Sequence, residues 1–208
     1  MPVAVILVIL TVVDEELRVL LIHRSGEPFL GWWALPGGLL RPGEPLGDAA
    51  SRKLVEETGV ADVYLEQLYT FDRLEGETVA VAVAYFALVD ATRVRLRSEA
   101  AWEPAWHPVA SLPDLAFDNA RVVDYALIRL RNKLEYTNVA YSLMPAVFTV
   151  SDLQGVYESI FGRELDKRNF RRRMLSMDII RPTGKTVARG AYRPAELFEF
   201  TSRQPMEL

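Results

Sequence analysis

Gly37 to Val60 reads GGLLRPGEPLGDAASRKLVEETGV and gathers the side chains best suited to chemistry. Residues three and four apart on a helix share a face, so Lys53, Glu56 and Glu57 point the same way. Carboxylates are hard oxygen donors, and Lys53 sets an ammonium beside two of them. An ion pair from Lys53 to Glu56 or Glu57 is worth roughly 0.3–0.5 kcal/mol if exposed. Glycine lets backbone approach a ligand closely, which makes Gly37 and Gly38 candidates for contact with one. An ordinary charged, solvated helix is the alternative reading.

A second concentration of charge lies at 163–173, where six of eleven residues are basic and only Glu164 and Asp166 are acidic. Arginine and lysine neutralise phosphates and release counterions. One or two arginines could read guanine edges in the major groove. Lys167, Arg168, Arg171 and Arg172 are the outward-facing candidates for DNA, with Asn169 and Arg173 beside them. A solvated helix, or one that meets an acidic protein or RNA, is the competing reading.

The elements that must position these groups follow from periodicity. Leu46 to Thr58 is predicted helical: Leu46, Ala50 and Leu54 form an apolar stripe, and Gly59 sits where a helix stops. Val3 to Val13 and Leu17 to His23 read as a hairpin. Arg24 to Gly38 reads as loop with a short strand near Ala34-Leu35. Tyr64 to Thr70 and Val79 to Val89 read as strands, the second apolar throughout as a buried strand is. Trp102 to Leu112 reads as loop with a short strand. Ala120 to Lys133 is a helix with Asp118 or Asn119 as its cap. Strands and helices in this order suit an α/β sandwich.

Further on, Leu134 to Met144 bridges to a second module. Thr149 or Ser151 caps a helix that Gly162 ends. Asp166 then caps a second helix, Lys167 to Ser176, whose Phe170 and Met174 turn inward. Two short helices joined by a tight glycine-containing turn describe a helix-turn-helix. Ile179-Ile180, a Pro-Thr-Gly-Lys-Thr turn and Leu197 to Phe200 read as a β hairpin, the wing of a winged helix. Lys185, Arg189 and Arg193 would decorate it.

Composition bounds the rest. Half of the 208 residues are apolar and there is no cysteine, which excludes disulfides and thiolate metal sites. No apolar run reaches the roughly 20 residues of a membrane span, and no basic segment precedes Pro2 to Val13. A cytoplasmic protein with no membrane partner is the expectation. Residues 1–136 hold 13 Lys+Arg against 20 Asp+Glu, and 137–208 hold 11 against 8. A basic end on an acidic body suggests two modules, 1–136 and 137–208, with different partners.

Set against G-x5-E-x7-R-E-U-x-E-E-x-G-U (U apolar), the opening stretch resembles the Nudix box. Gly38, Glu44, Arg52, Leu54, Glu56, Glu57, Gly59 and Val60 match, and Lys53 stands where the family carries its first helical glutamate. The resemblance covers residues 1–134 and implies a mixed sheet between helices. It also implies that Glu44, Glu56 and Glu57 would ligate Mg2+ against a diphosphate. Mg2+ activates water and neutralises phosphate charge. With Lys53 in place, the box of Arg52, Lys53, Glu56 and Glu57 is degenerate, Mg2+ binding is weakened and hydrolysis is weak or absent, so no cofactor is required. EPFLGWWALPGG and LAFDNA resemble Nudix proteins that handle ADP-ribose. Phe71-Asp72-Arg73-Leu74 departs from the Arg-Asp-Pro-Arg stretch of that group. Arg24, Trp33, Gly37, Gly38 and Arg73 are the ligand-binding candidates. Trp32 and Trp33 could stack on adenine or serve as core aromatics, and Arg24 could meet a phosphate or be solvated. His23 and His107 read as structural.

With LDKRNFRRRML, PTG and RPAELFEF added, the whole chain resembles the NrtR family of Nudix-related regulators of NAD metabolism. That resemblance implies an α/β Nudix sandwich followed by a small winged helix-turn-helix domain. It also implies a homodimeric repressor on double-stranded operator DNA, released by ADP-ribose or a related NAD metabolite. The competing expectation is a Mg2+-dependent ADP-ribose diphosphatase.

Overall fold

The computed structural model describes residues 3–75, 78–96, 102–188 and 194–207, of which 73–75, 78–80 and 102 are described by backbone alone. Strands β1 (Val3–Val13) and β2 (Glu16–Arg24) form the predicted hairpin, with Val13 opposite Glu16. The two turn residues, Asp14 and Glu15, both take positive φ. That geometry matches the twist of the flanking strands.

Strands β3 (Trp33–Ala34), β4 (Gly37–Leu39), β5 (Tyr64–Glu75), β6 (Thr78–Leu88) and β7 (Trp102–Pro108) complete a seven-stranded sheet among the described residues. Its order is β3-β2-β1-β6-β5, with β4 on β1 and β7 on β2. The β1–β6 pair is parallel and the others are antiparallel. β7 corrects the expectation of loop with a short strand: seven residues, Trp102 to Pro108, pair along β2. Pro104 and Pro108 hid it. Proline cannot donate to a ladder and is confined to edges, and β7 is such an edge.

Side chains alternate across a strand, and in β1 both sets are buried. Val5, Leu7 and Ile9 pack beneath helix α1 (Leu46–Thr58), while Ile6, Val8 and Leu10 pack on the opposite face with helix α2 (Asn119–Tyr136). A strand covered on both sides reads as one apolar run. α1 stops at Gly59, whose φ of 69° is left-handed and whose N–H donates to Val55 O.

The cap expected for α2 is not made. Asp118 forms no side-chain cap bond. Asn119, 3% exposed, instead accepts a 2.8 Å hydrogen bond from the Leu35 N–H.

Helices α3 (Val150–Phe161) and α4 (Lys167–Ser176) and strands β8 (Ile180–Val187) and β9 (Ala195–Phe200) form the second module. Thr149 and Asp152 make a reciprocal capping box for α3, satisfying donors that helix starts leave open. Asp166 caps α4 through Asn169 N–H. In the wing, Pro-Thr-Gly-Lys-Thr is not the hairpin turn. The register shifts between Pro182 and Thr186 with Gly184 at φ 74°, so this segment is a bulge inside β8.

The division at 136/137 falls at the end of α2, yet the apolar core runs across it. Leu153, Ile160 and Phe198 belong to one cluster with Val8, Leu127 and Leu130. Arg131 Nε donates to Ile160 O at 2.9 Å, and Ser159 Oγ donates to Glu15 O at 2.8 Å. Buried Asn138 binds the tail, with Nδ2 donating to Ser202 O and Gln204 O and Oδ1 accepting from Met206 N–H. No helix among the described residues is long and apolar enough to cross a membrane.

Candidate functional site

Arg52 organises the acidic end of α1. Its Nε and Nη2 grip Glu44 at 2.6 and 2.9 Å, and its Nη1 lies 3.1 Å from Glu56 Oε1. A two-pronged guanidinium–carboxylate pair is among the stronger hydrogen-bonded contacts available. Lys53 Nζ reaches Glu56 Oε2 at 2.8 Å, and Arg41 Nη2 approaches Glu56 Oε1 at 3.5 Å. The Arg41 N–H also donates to Glu44 Oε2 at 2.9 Å. Glu57 lies deeper, 2% exposed.

This arrangement sets the protonation states. Hydrogen bonds from the Arg52 guanidinium, then from the Arg41 backbone, pull the Glu44 carboxyl down to about 2. The Glu44 contact raises Arg52 above its ordinary value. Burial works to raise Glu56, and the hydrogen bonds from Lys53 and Arg52 overcome it and hold it low. Among the described residues no three His, Asp or Glu side chains converge as a metal-holding group. Glu44 and Glu56 turn oxygens toward Arg52, and Glu56 turns its other oxygen toward Lys53.

Beside this face a cleft of about 370 Å3 is lined by Arg24, Pro28, Gly37, Gly38, Phe117 and Asn119, among others. Gly37 is required there: a Cβ would stand 2.5 Å from Val5 O. The Arg24 guanidinium lies 5.0 Å from the Phe117 ring centroid and donates to Pro28 O at 3.0 Å. Trp33 does not line the cleft. Its ring meets His23 and His107 edge-on at 5.1 and 4.3 Å between centroids. Trp32 is exposed and meets Phe29 edge-on. Arg73 is placed by its backbone on β5 opposite Ala80, and its side chain lies outside the described residues. Sequence reasoning did not name Pro28, Phe117, Asn119 or Arg41 as site residues, although the EPFLGWWALPGG and LAFDNA segments hold the first three. In the structure Phe117 stands between Ala116 and Asp118 at φ 57°.

On the second module Phe170 and Met174 are buried and seat α4, while Lys167, Arg168, Asn169, Arg171, Arg172 and Arg173 are exposed. Arg171 pairs with Glu196 of β9 at 3.2 Å, and Arg172 donates to Asn169 Oδ1 at 3.0 Å. Arg173 differs from its neighbours: its Nη2 donates to Glu135 O at the end of α2, 3.0 Å away. Lys185 is exposed on β8. Arg189 and Arg193 lie outside the described residues.

Fold and site together define a Nudix sandwich carrying a winged helix, and comparison with known families agrees. The NUDIX domain model matches residues 1–126, and the NrtR DNA-binding winged helix domain model matches residues 140–200. The chain is 37% identical to the ADPR responsive transcriptional repressor NtrR of Acinetobacter baylyi, over 92% of this chain and 79% of that one. It superposes on Shewanella oneidensis NrtR complexed with a 27mer DNA at a TM-score of 0.85. That match has 33% identity and spans 96% of this chain and 93% of the other. The NUDIX domain of the same protein complexed with ADP ribose matches at a TM-score of 0.55 and 36% identity, spanning 62% of this chain and 87% of that one. The chain belongs to the NrtR family.

Proposed function

We propose that this protein is a DNA-binding transcriptional repressor of NAD synthesis or salvage genes, released from its operator by ADP-ribose or a related NAD metabolite. The observation that carries the reading is a capped, basic, exposed helix with a wing, joined through one apolar core to the module that holds the Nudix cleft. The family's DNA-bound and ADP-ribose-bound structures support both ligands.

Lys167, Arg168, Arg171 and Arg172 meet the duplex, with Lys185 reaching it from the wing. Two such helices in a homodimer stand one helical turn of DNA apart, matching a near-palindromic operator. ADP-ribose in the cleft, touched by Arg24 and the Gly37-Gly38 backbone, favours a different spacing and shifts the population off DNA. The coupling is reciprocal, so operator DNA weakens ADP-ribose binding by the same factor.

The box does not suit Mg2+. An octahedral oxygen shell needs carboxylate oxygens that here face Arg52 and Lys53. Sensing by this box therefore needs neither metal-dependent hydrolysis nor a cofactor. A sensor that leaves its signal intact reports it faithfully. Retained Glu44, Glu56 and Glu57 favour the second reading, residual ADP-ribose diphosphatase activity. Mg2+-dependent release of AMP and ribose 5-phosphate separates the two.

The direct test is a gel shift on DNA upstream of the protein's own gene, with and without ADP-ribose. A retarded band that ADP-ribose dissolves is expected. Rapid dinucleotide cleavage with no retarded band on any promoter would overturn the proposal.

A further inference from the structure

Segment 201–207 leaves the end of β9 and runs across the buried linker 137–144. Its first residue is anchored just past α4: Thr201 N–H donates to Ile179 O at 2.9 Å, and Thr201 Oγ1 donates to Asp178 O at 3.0 Å. Two grips on the linker follow. Arg203 donates through Nη2 to Tyr141 O at 2.6 Å and Met144 O at 2.7 Å, and through Nη1 to Pro145 O at 3.1 Å. These carbonyls lie at and just past the end of the 3-10 turn Val139–Ser142, where helix ends leave acceptors open. At the near end of the linker, buried Asn138 holds Ser202 O, Gln204 O and Met206 N–H through its side chain, and its own N–H donates to Met206 O. The segment is itself exposed apart from Ser202, so hydrogen bonds rather than burial hold it down. The linker is tied in turn to the Nudix sheet, where Ser142 Oγ accepts from Tyr64 N–H at 2.9 Å. It follows α2, whose first residue, Asn119, lines the cleft.

We propose that segment 201–207 is a strap that sets α4 against the Nudix module, with Arg203 as the positioning residue through which ADP-ribose alters operator binding. This rests on the functional reading above and assigns its coupling element. Arginine presents its donors in a rigid planar fork, and here one fork spans three linker carbonyls two residues after the Thr201 anchor. A shift of α2 moves those carbonyls, and the fork carries the movement to the corner between α4 and β8. Apolar contacts are non-directional, whereas a hydrogen bond weakens steeply once its angle is lost. The strap therefore fixes the register of the two modules more tightly than the core around it. Arg203 itself is not among the residues that line the cleft.

The test is a coupling factor measured on the full chain: the operator Kd with saturating ADP-ribose divided by the Kd without it. Arg203→Ala should lower that factor about threefold or more, the scale on which residues along a coupling route act. Its ADP-ribose affinity in the absence of DNA should stay at the wild-type value. Arg203→Lys keeps a donor without the fork and should restore part of the factor. Arg203→Gln, which keeps a polar side chain at this exposed position, carries the same measurement should Arg203→Ala fail to fold. A merely structural Arg203 would lower Tm and leave the factor at the wild-type value, and that result overturns the proposal. Where ADP-ribose does not release wild type from DNA, the functional reading fails and the strap's role with it. Where it releases wild type and the Ala and Gln variants by the same factor, only the strap's role fails.

Discussion

The stem of Lys53 lies across the backbone of Gly38: a Cβ on residue 38 would stand 2.7 Å from Lys53 Cε. At the tip, the ammonium sits 2.8 Å from Glu56 Oε2. One lysine therefore both covers side-chain-free backbone of the cleft and meets the helix carboxylate.

The two adjacent glycines should respond differently to alanine. Gly38→Ala displaces only the end of a flexible side chain and should change stability by no more than about 0.5 kcal/mol. Gly37→Ala drives a methyl to 2.5 Å from Val5 O in the central strand. Backbone there cannot yield cheaply, and overpacking of this kind costs about 1–3 kcal/mol. Urea unfolding measures both, and equal losses would contradict the packing described.

Lys53→Glu removes the ammonium and adds a carboxylate beside Glu56. Mg2+ affinity should rise at least about tenfold, about 1.4 kcal/mol, with measurable ADP-ribose hydrolysis as a further outcome. Isothermal titration with Mg2+ checks it. Unchanged metal affinity would count against placing Lys53 in the box.

Acid should loosen this corner through Glu44. Its folded carboxyl sits at about 2, below the ordinary glutamate value of 4.5. A depressed carboxylate contributes stability that is fully present above its unfolded pKa and disappears as pH falls through the folded one. The window is therefore pH 4.5 down to 2. Glu44→Gln should flatten the acid limb of a Tm-against-pH curve across that range; an unaltered limb would assign the acid loss elsewhere.

Arg168→Ala and Arg172→Ala should each weaken operator binding and lower the slope of log K against log salt by about 0.9 for each phosphate no longer neutralised. ADP-ribose affinity should stay at the wild-type value. Arg173→Ala should leave the salt slope unchanged, because that guanidinium donates to Glu135 O. Salt-series gel shifts distinguish the three, and wild-type binding by both of the first two variants would remove α4 from the interface.

Asn119→Ala strands the Leu35 N–H in the interior. An unsatisfied buried donor costs about 1–3 kcal/mol, and each kcal/mol lowers Tm by about 2–4 °C in a chain of this size. Calorimetry should show that drop together with weaker ADP-ribose binding, since Leu35 and Asn119 both line the cleft. A variant as stable as wild type would mean the bond is dispensable.

Local chemistry was legible in the sequence, and partners far apart were not. The apolar stripe of α1, Gly59 at its end, the Asp166 cap and the inward pair Phe170 and Met174 all depend on near neighbours, and all stand where periodicity placed them. β7 was hidden because WEPAWHP takes its conformation from β2, whose paired residues lie 78 to 90 positions earlier. Asn119 read as a cap because its partner, Leu35, is 84 residues away. Gly184 read as a turn, and only pairing with β9 reveals a bulge. In the site, the carboxylates and Lys53 were legible as a set. That Arg52 would clamp Glu44 from both prongs, and that Arg173 would face the preceding helix, required the packed chain.

The uninterrupted core between the two halves limits how a signal can travel. With α3 seated on α2 and β2, and Asn138 clasping the tail, the described residues offer no slack joint about which the DNA-gripping head can swing. Reorientation has to proceed as shear, interlocked side chains sliding by fractions of a turn. Such a machine works like a gear train rather than a leash: a displacement at the nucleotide end is handed on through side chains already in contact.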